Sequence, residues 1–376
     1  MAVRIITADC REALKDLATG SIHCCVTSPP FFGLRDYGCD GQIGLGESPE
    51  AYVEKIVGVF REVHRALRDD ATLWLNLGDS YASTMGQAMR GGPPSMSSTL
   101  EGNGHRGGGP KLANLSRVGK SGNRGNVASD HSRRAFARGL KPKDLIGIPW
   151  RVAFALQADG WWLRQDIIWG KPNPMPESVT DRCTKAHEYL FLLSKSERYY
   201  FDAEAIAEPL AAASIVRLAQ DVDNQAGSDR VPGKTNGTMK AVGGWRSARD
   251  NFKREQSKRA QPIPGQTVGT HRPDRSDSEY SLATRNKRSV WTIATQPFKE
   301  AHFATFPPQL IEPCILAGSP IGGTILDPFG GAGTTGLVAD RLQRDAILIE
   351  LNPAYAAMAR KRINADAPLL AAPTHP

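Results

Sequence analysis

The sequence predicts an α/β fold: a mostly parallel sheet with helices on both faces. Three observations carry this. Short β-branched runs alternate with segments of helical period at both ends of the 376-residue chain. Four of those runs deliver an acid or a hydroxyl at their carboxyl end, namely Asp9, Ser28, Asp327 and Glu350, which is where open α/β sheets hold ligands. Finally, Gly330, Gly331 and Gly333 stand between one such run and the next helical segment, and glycines there let the backbone approach a ligand closely.

The elements follow in order. Val3 to Ala8 is a β-branched run closed by Asp9, and Arg11 to Leu17 then takes helical spacing. Asp9 has two readings, a ligand position at a strand end or a simple N-cap. Ile22 to Val26 reads as a buried strand delivering Thr27-Ser28-Pro29-Pro30-Phe31-Phe32. The two prolines stiffen that tip, since each fixes φ and holds the residue before it extended. Ser48 caps a helix with Pro49 at its first position, whose apolar face is Tyr52, Val53, Ile56, Val59, Phe60, Val63 and Leu67. Thr72 to Leu77 is the next strand. Pro149 to Ala158 reads as a helix, and Trp161 to Trp169 and His187 to Leu193 as strands, joined through a stiff proline loop from Lys171. His187 has no partner pattern and is expected to be structural, and the three tryptophans 161, 162 and 169 are expected to be core and loop anchors. Later come a helix from Gln309 to Ala317, a strand from Thr324 to Leu326, a helix from Thr334 to Leu342 and a strand from Ala346 to Ile349. Asn352 caps a last helix, with Pro353 in its first turn.

Charge is distributed unevenly. The formal net charge is +8, which points to a polyanionic partner. From Thr84 to Lys143 there are eleven Lys or Arg against Glu101 and Asp130, in a stretch rich in Gly, Ser and Asn. Such a stretch cannot bury enough apolar surface to fold alone. It reads as a linker or as a basic flap that orders on nucleic acid through Arg117, Lys120, Arg124, Arg133 and Arg134. From Arg230 to Val290 there are fourteen Lys or Arg against five acids. The two regions together exceed the net charge of the whole chain, so the remaining scaffold is net acidic and the positive charge sits outside the predicted sheet.

The six cysteines show no Cys-x-x-Cys spacing, so neither a zinc site nor a disulfide framework is indicated. Cys24 and Cys25 are read as buried thiols. The chain opens without a signal-like segment and has no apolar run of bilayer length, so no membrane association and a reducing cytoplasm are expected.

Two segments carry chemistry. At Ser28-Pro29-Pro30-Phe31 a hydroxyl, fixed carbonyls and an aromatic ring suit a planar group bearing an amine. Asp327-Pro328-Phe329-Gly330-Gly331-Ala332-Gly333-Thr334-Thr335 ends a strand and opens a helix. Together they resemble the DNA amino-methyltransferases, which carry Asp-, Asn- or Ser-Pro-Pro-aromatic at the catalytic loop and Asp-Pro-Phe-x-Gly-x-Gly-Thr-Thr at the cofactor loop. The catalytic element comes first and the cofactor loop last, an order that resembles the family's β class. The resemblance implies a Rossmann-like methyltransferase fold with a circularly permuted sheet, and S-adenosylmethionine as cofactor with no metal. It implies transfer of a methyl to the exocyclic amine of a flipped base in double-stranded DNA, by the catalytic residues Ser28, Pro29, Pro30 and Phe31. It places the cofactor at Asp9, Phe303, Thr305, Asp327, Phe329, Gly331, Gly333, Thr334, Thr335 and Glu350. Phe303 and Thr305 enter because Ala301 to Pro307 resembles the family's His-x-x-x-x-Pro segment.

The domain reading follows: a catalytic domain at 1–83, 144–204 and 299–366, a basic insertion at 84–143, a target-recognition region at 205–298 and a disordered tail at 367–376. Arg246, Lys253 and Arg254 join the flap residues as expected DNA contacts. The resemblance leaves room for a cognate restriction endonuclease and a homodimer, and implies a prokaryotic cytoplasmic setting at the nucleoid. Within the family, Ser-Pro-Pro-aromatic leans towards N4 of cytosine, and N6 of adenine stays open because both bases present an amine.

Other readings are weaker. Gly331-x-Gly333-x-x-Gly336 also fits a dinucleotide fingerprint, but Asp-Pro-Phe precedes it and no substrate domain follows. A C5-cytosine enzyme needs a Pro-Cys nucleophile, and Pro313-Cys314 lies within a predicted helix. A nucleic-acid-binding protein without activity leaves both loops without a use. Related Asn-Pro-Pro-aromatic loops serve RNA and protein substrates, against which the long basic regions favour DNA.

Overall fold

The computed structural model describes residues 2–34, 37–82, 140–218, 284–296 and 306–366. In chain order they form β1 (Val3–Thr7), α1 (Cys10–Ala13) with a 3-10 turn at Leu14–Asp16, β2 (Ile22–Thr27), α2 (Pro49–Ala66), β3 (Leu67–Leu77) and α3 (Ile148–Ala158). Then come β4 (Trp162–Gly170), β5 (His187–Ser194), β6 (Glu208–Pro209), α4 (Ala212–Leu218), β7 (Thr284–Arg285) and β8 (Val290–Thr292). The last elements are α5 (Pro308–Gly318), β9 (Thr324–Asp327), α6 (Thr334–Arg341), β10 (Asp345–Glu350) and α7 (Pro353–Asp366).

Two compact units divide the chain, Met1–Asp202 with Arg288–Pro376, and Ala203–Lys287. The larger unit contains an eight-stranded sheet in the order β1-β10-β9-β2-β3-β5-β4-β8. Every pairing is parallel except those of β5, which runs antiparallel to both β3 and β4. In the smaller unit β6 and β7 pair antiparallel, and Arg285 and Lys287 both bridge to Glu208.

The sheet has helices on both faces. Alternation along β2 shows why: Cys25 joins the core beneath α1, α2 and α3, while Cys24 faces the C-terminal end of α5 at Gly318. Helices α5, α6 and α7 cover that second face. Helix α2 forms as its sequence dictates. The Ser48 hydroxyl accepts from the Ala51 N–H at 3.2 Å, Pro49 opens the first turn, and Tyr52, Ile56, Val59, Phe60 and Val63 are buried.

β3 begins five residues earlier than its apolar run suggests. Leu67 pairs with Ile22 and both are fully buried, while Arg68, Asp69 and Asp70 between are exposed and hide the strand period.

The connections set the ligand edge. From β2 the chain crosses through α2 to β3 on one side, and from β9 through α6 to β10 on the other. Strand order therefore reverses at the β9–β2 junction, where Cys24 and Cys25 pair with Ile325 and Leu326. First and last strands also meet, with Thr7 opposite Glu350. Permutation of the chain thus leaves the neighbours in the sheet intact.

Candidate active site

The carboxyl ends of β1, β2, β9 and β10 surround one cavity. Its walls come from Asp9 and Cys10, from Ser28 to Phe31, from the loop between Tyr37 and Ile43, from Pro328 to Ala332, and from Ile349 to Asn352 with Tyr355 and Phe306. The Ser28–Phe31 loop and the glycine loop therefore face one space.

One half is built around Glu350. Its Oε2 accepts from the Gly331 N–H at 2.7 Å and its Oε1 from the Asn352 N–H at 2.8 Å. A carboxylate offers about four acceptor sites, more than its backbone N–H donors occupy. Burial pushes the carboxyl above its usual range, while N–H bonds from Asn352, Gly331 and Leu351 oppose that shift. Asp9 caps a helix and stands at the cavity. Its Oδ1 accepts from the Arg11 N–H at 2.9 Å and caps α1, and the residue also lies on the cavity wall. The Arg11 guanidinium grips the same carboxylate, holds it below the usual range, and reaches the Gly41 carbonyl at 3.0 Å. That bond draws the loop after Tyr37 over the cavity, as does the Asn352 Nδ2 bond to the Tyr37 carbonyl at 3.4 Å.

The glycine loop separates into wall and support. Phe329, Gly331 and Thr334 line the cavity. Asp327 lies behind it, only 1% exposed. Its Oδ1 accepts from Thr27 Oγ1 at 2.6 Å and the Phe329 N–H at 3.1 Å, and its Oδ2 from Thr335 Oγ1 at 2.6 Å. The carboxylate thus clasps β2, the glycine loop and α6 together, and burial raises its pKa. Thr335 is fully buried on the same clasp. Gly333 has φ +75°, and a Cβ there would stand 2.8 Å from the Ala359 Cβ, so this glycine lets α7 pack against the loop.

The Ser28–Phe31 loop forms the other half. Ser28 Oγ donates to Asn76 Oδ1 at 3.1 Å. The Tyr52 hydroxyl donates to the Pro30 carbonyl at 2.9 Å, and burial keeps that phenol protonated. Among the described residues no donor takes the Pro29 carbonyl. The Phe31 ring lies on Gly78, where a Cβ would come within 2.5 Å of ring Cε2. This half is an acceptor pair beside an aromatic face.

Phe303, Thr305 and all eight expected DNA contacts (Arg117, Lys120, Arg124, Arg133, Arg134, Arg246, Lys253 and Arg254) lie outside the described residues. Sequence reasoning missed Asn76, Tyr52 and the Tyr37–Ile43 loop. For Asn76 the available signal was a polar residue inside the apolar run Leu73 to Leu77. Pro313 and Cys314 do lie inside α5, and Cys314 is buried. Among the described residues no group of three or more His, Cys, Asp or Glu could hold a metal, and no helix is long and apolar enough to cross a membrane.

Comparison with known proteins identifies the family. A DNA methylase family model for N6 and N4 enzymes matches residues 22–361. The type II methyltransferase M.SmaI of Serratia marcescens is 39% identical over 360 residues, covering 96% of this chain and 90% of its own. The cytosine-N4-specific PvuII DNA methyltransferase shares the fold at TM-score 0.52 and 16% identity, over 96% of this chain and 90% of its own. TTHA0409 of Thermus thermophilus, assigned as a DNA modification methylase and solved with S-adenosyl-L-methionine, superposes at TM-score 0.50 and 19% identity, over 98% of this chain and 95% of its own. A match running from β2 into the last helix, with a relative this similar along nearly its full length, means that the chain belongs to the N6/N4 DNA methylase family.

Proposed function

We propose that this protein transfers a methyl group from S-adenosylmethionine to the N4 amine of a cytosine flipped out of duplex DNA. One observation carries the reading: the Ser28–Phe31 loop and the Gly331–Glu350 pocket share a single cavity across the β9–β2 junction. The cofactor fits the residues present. Glu350 offers free lone pairs to ribose hydroxyls, the glycine loop offers close backbone approach, and Phe329, Phe306 and Ile349 offer apolar walls.

S-adenosylmethionine supplies a methyl on a sulfonium, open to in-line displacement by an amine. An exocyclic base amine is a weak nucleophile because its lone pair is delocalised into the ring. Ser28 Oγ and the Pro29 carbonyl accept its two hydrogens, favouring a tetrahedral nitrogen with its lone pair directed at the donor side of the cavity. Phe31 stacks on the base, which must leave the duplex to reach this depth. Serine is no base at neutral pH, so the extra proton leaves nitrogen for water after transfer.

The basic regions 84–143 and 205–298 hold the DNA, through phosphates first. Because the relative M.SmaI is named a type II methyltransferase, we place this protein beside a restriction endonuclease of the same sequence specificity. The test is Ser28→Ala with Phe31→Ala: methyl transfer is expected to vanish while DNA binding persists. Retained transfer would overturn the assignment of the catalytic loop.

A further inference from the structure

The Ser28 hydroxyl has a partner that the catalytic loop does not supply. Asn76, in β3 and 3% exposed, sits with its Oδ1 3.1 Å from Ser28 Oγ. Its Nδ2 donates both hydrogens elsewhere, to Glu188 Oε2 at 3.2 Å and to the Tyr189 carbonyl at 3.1 Å. Rotating the amide by half a turn would set its oxygen against two acceptors, so the chemistry of the neighbours fixes its orientation. Glu188 is in turn held by the Lys171 ammonium, which lies 4.3 Å from the centre of the Trp169 ring. Both side chains of that pair are mostly buried, at 17% and 18% exposure.

An amide oxygen cannot donate, so the proton between Ser28 and Asn76 belongs to Ser28. We infer that Asn76, oriented by Glu188 and the Tyr189 carbonyl, is a positioning residue that makes Ser28 an obligate acceptor towards the base amine. This rests on the reading of Ser28 as the residue that meets the amine. With its own proton committed, Ser28 Oγ presents only lone pairs to the cavity. A serine free to rotate would present its O–H to the amine lone pair in part of the population and would block the attacking electrons. Glu188 strengthens the effect, since a carboxylate accepting from Nδ2 polarises the amide and enriches Oδ1 and, through it, Ser28 Oγ. The chain from Lys171 to Ser28 also ties the antiparallel strand β5 and the end of β4 to the chemistry, though neither contributes to the cavity wall described above.

A double-mutant cycle tests this, with single-turnover methyl transfer to DNA as the readout and calorimetric S-adenosylmethionine affinity and urea stability as companions. Asn76→Ala is expected to lower kcat about 10²-fold with cofactor affinity unchanged. In a Ser28→Ala background it should add little, because the residue acts through Ser28. Glu188→Gln keeps an acceptor for Nδ2 but removes the charge. It should lower kcat by a smaller factor, and that factor too should disappear in the Ser28→Ala background. If Ser28→Ala has no measurable rate, the single variants decide: a fall in kcat with unchanged cofactor affinity supports the inference. An N76A protein that folds and keeps full kcat overturns it, as do losses that multiply across the cycle. If N76A does not fold, a full kcat in E188Q overturns it. Full activity in Ser28→Ala alone would remove the underlying reading of the catalytic loop, a result distinct from the others.

Discussion

Gly78→Ala tests the aromatic face of the site without replacing any residue of the Ser28–Phe31 loop. A Cβ at position 78 would stand 2.5 Å from Cε2 and 2.7 Å from Cδ2 of Phe31, where ordinary contact begins at 3.4 Å. The ring must therefore recede by about 1 Å, and a misplacement of that size costs a well-positioned reaction about 10²-fold. Where the ring cannot recede, overpacking costs about 1–3 kcal/mol of stability. The variant is expected to fold, to bind S-adenosylmethionine as before and to methylate DNA about 10²-fold more slowly, measured by labelled-methyl incorporation under single-turnover conditions. Gly58→Ala is the control. It lies mid-helix in α2 with nothing within 4 Å of an added Cβ, so it should gain about 1 kcal/mol in urea denaturation and leave the rate alone. A folded G78A protein with full activity would refute a role for the placement of the Phe31 ring.

Thr27→Val removes one of three donors to the buried Asp327 carboxylate and should cost about 1.5–3 kcal/mol in urea denaturation, whereas an unchanged midpoint would remove the clasp. The Glu350 carboxyl is raised by burial, so its neutral form favours the free folded protein. That contribution is complete below the unfolded value near 4.5 and is lost as pH rises through the raised folded value. Cofactor affinity runs the other way, because ribose hydroxyls need an ionised acceptor: it should weaken as pH falls through the same range, and Glu350→Gln should flatten that dependence in calorimetric titrations. Neutralising Arg117, Lys120, Arg124, Arg133 and Arg134 together should weaken DNA binding and reduce the slope of log affinity against log salt by up to about 4.5, and an unchanged slope would favour the linker reading.

Much of the scaffold was legible because its punctuation is local. Ser48-Pro49, Asn352-Pro353 and the glycine loop announce helix starts within a few residues. The neighbourhood of β9 and β2 is a property of the sheet, shown by the register of Cys24 with Ile325. Boundaries failed where polar residues interrupt a strand, as Arg68 to Asp70 do in β3. The division of the glycine loop into wall and support was illegible, because Asp327 meets Thr27 across 300 residues of chain and no spacing rule spans that distance. Asn76 was hidden similarly: its partners Ser28 and Glu188 come from β-strand ends 48 residues before and 112 residues after it, and only the sheet order β2-β3-β5 brings them together. Pattern reading finds residues that act alone at a strand end, whereas it misses those that act through a neighbour in the sheet.

The most direct test of the account is to identify the product. Purified protein is incubated with unmethylated bacterial DNA and labelled S-adenosylmethionine, the DNA is digested to nucleosides, and the modified nucleoside is identified by mass. The expected product is N4-methylcytosine. N6-methyladenine would keep the acceptor pair at Ser28 and Pro29 and contradict the choice of base, and no methylated nucleoside on DNA of varied sequence would contradict the proposed reaction itself.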